Sequence, residues 1–114
     1  MPKISESNFA IKGLSGKSYT FIMYTLDTEF RKAGAIYIFT KRIMDAGKYA
    51  HVLIYIGKTE DLSSRFDNHH KNHCIKSNNA NCLCILQIDS EEERTTVEVD
   101  ILKANTTSCN EIHN

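Results

Sequence analysis

The chain has 114 residues, 41% hydrophobic and 25% charged, with a formal net charge of zero. That length suits one domain, since domains commonly run to about 100–150 residues and a second core would leave both too small, and the composition excludes a disordered or fibrous chain. Neutrality excludes a protein that coats nucleic acid by charge alone, and there is no apolar run of about 18 residues to span a membrane.

The charge is unevenly spread. Residues 31–76 hold nine Lys/Arg against four Asp/Glu, and residues 77–114 hold two against seven, so the middle is +5 and the tail −5. A basic working face and mutual neutralisation of neighbouring segments account for this equally well. The start, MPKISESNF, lacks the apolar core of a signal peptide, so a cytoplasmic protein is expected, with Cys74, Cys82, Cys84 and Cys109 reduced.

In chain order, the first eight residues read as a tail. Lys12-Gly13-Leu14-Ser15-Gly16-Lys17-Ser18 looks like a phosphate-binding loop, but only two residues separate its glycines where such a loop needs four. The strand-like Tyr19–Tyr24 comes next where that loop would require a helix, so the segment reads as a turn. Ala35–Thr40 and His51–Ile56 are short β-branched and aromatic runs, expected to pair antiparallel across the polar stretch 41–50. Thr59 is placed to cap a helix with Glu60 and Asp61 in its first turn and Leu62 and Phe66 on its apolar side, running to about residue 73. Asn81–Ile88 reads as a third core strand. Ser90-Glu91-Glu92-Glu93 is a capping box, and Val97, Ile101 and Ala104 continue one helical face. The expected fold is α+β: a small antiparallel sheet of three core strands plus an N-terminal strand, flanked by helices, with the core at about 34–110 and an extension at 9–33.

Cys82 and Cys84, two apart on a strand, point to one face, where buried cysteines act as small hydrophobes. With His69, His70, His73 and Cys74 they also suggest a zinc set, but the C-x-C spacing is poor for a structural zinc site.

Ala35-Ile36-Tyr37 and Tyr55-Ile56-Gly57 resemble the two tripeptides of the GIY-YIG nucleases. Arg65 stands ten residues after Tyr55, His69 four further on, and Glu98 precedes Asn110 by twelve, all fitting that family's pattern. The resemblance runs from about Gly34 to Asn110, two-thirds of the chain. It implies a metal-dependent endonuclease acting on DNA with one Mg²⁺ or Mn²⁺. The residue chemistry agrees: phosphodiester hydrolysis needs a positioned water, cationic groups on the phosphoryl oxygens and help for the leaving oxygen.

Arg65 and His69 project from one helix face, and a guanidinium fork matches two phosphate oxygens. Glu98, bordering an apolar helix face, is the metal ligand expected, since Mg²⁺ keeps several waters and often takes only one or two carboxylates. Asp100 reads as solvent-facing. The resemblance makes Tyr37 the general base or the group orienting water, with Tyr55 nearby and His69 as the rival base. Lys58 matches a lysine of the excinuclease branch, and Asn110 is expected to fix the last loop against the site.

Two departures stand out: Ala35 replaces the glycine of the first tripeptide, and no separate DNA-binding module fits in the chain. Specificity would then come from its own loops, a partner protein or a homodimer built on Tyr19–Tyr24. Two other readings stay open: a non-cutting module that grips nucleic acid or protein, and a zinc-stabilised interaction domain built on His73, Cys74, Cys82 and Cys84.

Overall fold

The computed structural model describes the backbone of residues 3–65 and 72–110 and the side chains of residues 8–64 and 72–110. Among them are five strands, β1 (Lys3–Lys12), β2 (Ser18–Tyr24), β3 (Ala35–Asp45), β4 (Lys48–Thr59) and β5 (Cys82–Gln87). Three helices accompany them, α1 (Leu62–Arg65), α2 (Asn72–Ser77) and α3 (Glu91–Ala104). The strands form one sheet in the order β1-β2-β5-β3-β4, every neighbouring pair antiparallel. The α+β expectation therefore holds, with two strands where one N-terminal strand was expected.

Several local expectations are corrected. From Lys3 onward the expected tail is part of strand β1, which pairs with β2 and whose Phe9 and Ile11 pack into the core. The polar stretch 41–50 is not a loop: β3 and β4 pair through to Asp45 and Lys48 around Ala46 and Gly47, both at positive φ, the backbone of a two-residue type I′ hairpin turn. Asp61, not Thr59, caps α1, accepting from the Ser63 amide at 2.9 Å, while Thr59 Oγ1, two residues earlier, accepts from the Asp61 amide. Of the helix expected to run to about residue 73, the described parts are α1 (Leu62–Arg65) and the start of α2 (Asn72–Ser77); residues 66–71, Phe66 included, lie outside the described residues.

The sheet has two covered faces. On one, α3 lays Val97 and Ile101 on Phe21, Met23, Ile36, Ile38, Ile56, Cys82 and Cys84. Burying Val97 and Ile101 is worth about 1.5–3 kcal/mol each, more than the roughly 1 kcal/mol of the Ser90 cap, so packing rather than local signals holds this helix. Ser90 Oγ accepts from the Glu93 amide as the capping box predicts, whereas Ala104 is exposed. On the other face, Leu62 of α1 and Ile75 of α2 pack with Ala35, Tyr37, Phe39, Tyr55, Leu83 and Ile85.

One irregularity decides which side chains meet. Phe39 pairs with Tyr55 but Thr40 pairs with Leu53, so Ile54 is an extra residue in β4. Ile54 and Tyr55 therefore both lie on the α1/α2 face, and the alternation reverses before them, sending Leu53 to the α3 face and His51 with it.

A disulfide joins Cys74 of α2 to Cys109, correcting the expectation of four reduced thiols. It holds the C-terminal segment along β4, where the Ser108 and Cys109 amides donate to the carbonyls of Leu53 and Ile54 at 3.4 and 2.8 Å.

Candidate functional site

Tyr37 on β3 stands opposite Gly57 on β4, and the bulge puts Tyr55 on the same face. The two rings lie 6.0 Å apart between centroids with 35° between planes, and Phe39 meets Tyr37 edge-on. Both tyrosines sit against Gly57: a Cβ there would be 2.5 Å from Tyr37 Cζ and Oη and 2.9 Å from Tyr55 Cε2. The glycine of the second tripeptide thus has a steric cause, since any side chain would displace the tyrosine pair. Tyr37 is 0% exposed and Tyr55 8%.

Asn110 binds the next residue along β4. Its Oδ1 accepts from the Ile56 amide at 2.8 Å and its Nδ2 donates to the Ile56 carbonyl at 2.9 Å, as a paired strand residue would. Thr107 Oγ1 donates to the same Oδ1 at 2.6 Å. Asn110 so completes the open edge of β4 beside the tyrosines.

The remaining predicted residues are not all gathered beside this pair: Lys58 and the helix that carries Glu98 belong to the opposite, α3 face of the sheet. Arg65 closes α1, the helix whose Leu62 packs in the tyrosine cluster; its side chain and all of His69 lie outside the described residues. Lys58 pairs with Ile36 and so projects on the α3 face, partly exposed. Glu98 is partly exposed on α3. Two residues are about 200° round a helix, so Glu98 and Asp100 lie on opposite flanks of the buried stripe, and Asp100 is the one that holds the β1–β2 turn.

Asp100, expected to face solvent, is partly exposed and bonds across to the β1–β2 turn. Its carboxylate accepts from the Ser15 amide at 2.9 Å, from Ser15 Oγ at 2.7 Å and from Tyr19 Oη at 2.7 Å. The Ser15 and Tyr19 hydrogen bonds hold its carboxyl below the ordinary range, and the same carboxylate raises the Tyr19 phenol. Within the Gly13–Lys17 turn, the amide that a phosphate would seek is thus taken by the protein's own carboxylate, which supports the reading as a turn.

A second polar group lies on the α3 face. His51, Cys82 and Cys84 each offer a ligand atom within 4.8 Å of the others. Thr40, fully buried on β3, places Oγ1 2.8 Å from His51 Nδ1. The hydrogen bond from the Cys84 thiol pulls Cys82 below the ordinary thiol range; the same bond, then burial, pushes Cys84 up. Burial, then the Arg42 charge, lowers His51. Cys82 and Cys84 share one face as expected, but Cys74 is bonded to Cys109 beneath the other, which removes it from the alternative zinc set of His73, Cys74, Cys82 and Cys84. His51 was missed because plain alternation along β4 puts it on Tyr55's side; only the bulge at Ile54 reverses that.

Comparison of the chain with protein-family models, with curated proteins and with solved structures found no match in any of the three.

Proposed function

We propose that the chain is a metal-dependent endonuclease that hydrolyses DNA phosphodiester bonds. The observation that carries this reading is the tyrosine pair seated on Gly57, at a strand edge that Asn110 fixes. Two phenols held together, Tyr55 on the edge strand β4 and Tyr37 on its inner neighbour β3, would orient an attacking water and take its proton. Tyr37 has that role, with Tyr55 as its hydrogen-bonding neighbour and His69 as the alternative base. Arg65 grips two phosphoryl oxygens of the scissile phosphate, and Lys58 adds a second positive charge.

Glu98 fits one Mg²⁺ or Mn²⁺ by its chemistry: it is a partly exposed, hard carboxylate donor, and such ions keep most of their waters. When bound, the ion supplies Lewis-acid charge at the phosphate. Lys58 and the helix of Glu98 belong to the α3 face and the tyrosines to the other, so a phosphate engaging both sets would lie across the outer edge of β4, where Gly57 and Lys58 are adjacent. Recognition of a particular DNA rests with the chain's own loops, a partner or a second copy.

The complete burial of Tyr37 favours a second reading, a module that grips nucleic acid without cutting it. Cleavage of a labelled duplex by wild type, Tyr37→Phe and Tyr55→Phe separates the two, since these changes remove only a hydroxyl. The nuclease reading expects Tyr37→Phe to slow cutting by about 10²–10⁴-fold with binding unchanged. Binding without cutting by every form, across duplex, branched and single-stranded substrates, refutes it in favour of the module.

A further inference from the structure

We propose that His51, Cys82 and Cys84 bind one Zn²⁺ on the α3 face of the sheet, separate from the tyrosine pair. Cys82 and Cys84 come from β5 and His51 from β4, and the strand between them contributes Thr40. Nothing in the packing of an apolar core calls for an imidazole and a hydroxyl beside two thiols. The other residues of that core cluster are aliphatic or aromatic.

The donor set is the one a thiophilic ion selects, two sulfurs and an imidazole nitrogen. Zinc–sulfur bonds of about 2.3 Å and zinc–nitrogen bonds of about 2.0 Å need donors some 3.5–3.8 Å apart, so atoms already within 4.8 Å close by about 1 Å on binding. Side-chain rotation supplies that movement without shifting a strand. The charge also balances: two thiols release two protons, and Zn²⁺ with two thiolates and a neutral imidazole carries no net charge next to Arg42. Thr40 Oγ1, next to His51 Nδ1, either fills the fourth position or orients a water there.

His51 is the only partly exposed ligand of the three and marks the entry side, where its ring meets that of Phe9 at a 45° tilt with centroids 4.5 Å apart. The site ties β5 to β4 across β3, so the ion would hold together the half of the sheet that carries Tyr37 and Tyr55. It does not depend on the nuclease reading.

The test is Co²⁺ titration of the oxidised full chain, in which Cys74 and Cys109 are bonded to each other and offer no thiolate. The expected result is one equivalent of Co²⁺ with sulfur-to-cobalt charge-transfer and tetrahedral d–d absorption, displaced by Zn²⁺. Cys84→Ala abolishes those bands, and His51→Ala weakens binding on the order of 100-fold. Should Cys84→Ala fail to fold, His51→Ala, altered on the partly exposed rim, decides alone. Absence of the charge-transfer bands in wild type, or bands unchanged in the folded variants, overturns the assignment; the second would place the ion on other ligands.

Discussion

Replacing Asn110 tests whether the C-terminal segment completes the sheet. Ile56 is 0% exposed and its amide and carbonyl face away from β3, so both depend on the Asn110 carboxamide, at 2.8 and 2.9 Å. Leaving a buried backbone group without its partner costs about 1–3 kcal/mol. Water reaching this outer strand recovers part of that, so Asn110→Ala is expected to destabilise the fold by about 2–4 kcal/mol. Asn110→Asp keeps an acceptor for the Ile56 amide but loses the donor to its carbonyl, and should fall between alanine and wild type. The assay is urea denaturation of the oxidised protein, with Cys74–Cys109 intact so that the segment stays tethered. A loss below about 0.5 kcal/mol, the range of an ordinary surface change, would refute the account of Asn110 as a surrogate strand residue.

Opening the disulfide with Cys109→Ser releases a constraint spanning 35 residues, and chain entropy puts the cost at about 3–4 kcal/mol, read as a lower denaturation midpoint. Gly57→Ala sets a methyl against the Tyr37 ring and should cost about 1–3 kcal/mol and change tyrosine fluorescence; a variant as stable as wild type would contradict the close approach. Asp100 titrates below the usual carboxylate range in the fold, so its contribution is full above the unfolded pKa and is lost as pH falls through the folded one. Asp100→Asn should therefore lower the midpoint at neutral pH and remove part of the acid sensitivity, seen by melting wild type and variant from pH 7 to pH 3.

Elements whose signals are local were legible in the sequence. The Ser90 cap, the α3 stripe of Val97 and Ile101, the turn at Gly13–Lys17 and the pairing of the two tyrosine strands all arise from side-chain spacing and turn chemistry. Features set by distant contacts were not. Strand β1 is polar at its start and becomes a strand because β2 offers an edge; the Ile54 bulge has no marker such as glycine; and Cys74 and Cys109 meet only because the tail returns along β4. The same bulge explains why the tyrosine pair was anticipated and the His51–Cys82–Cys84 group was not.

The most direct measurement of the central claim is nicking of supercoiled plasmid in Mg²⁺ or Mn²⁺ by wild type, Arg65→Ala, Glu98→Ala and wild type with EDTA, each variant shown to be folded. The account predicts relaxed and linear products from wild type alone. Cutting that persists in Arg65→Ala, Glu98→Ala and EDTA, or a wild type that cuts no nucleic acid in either ion, would contradict it.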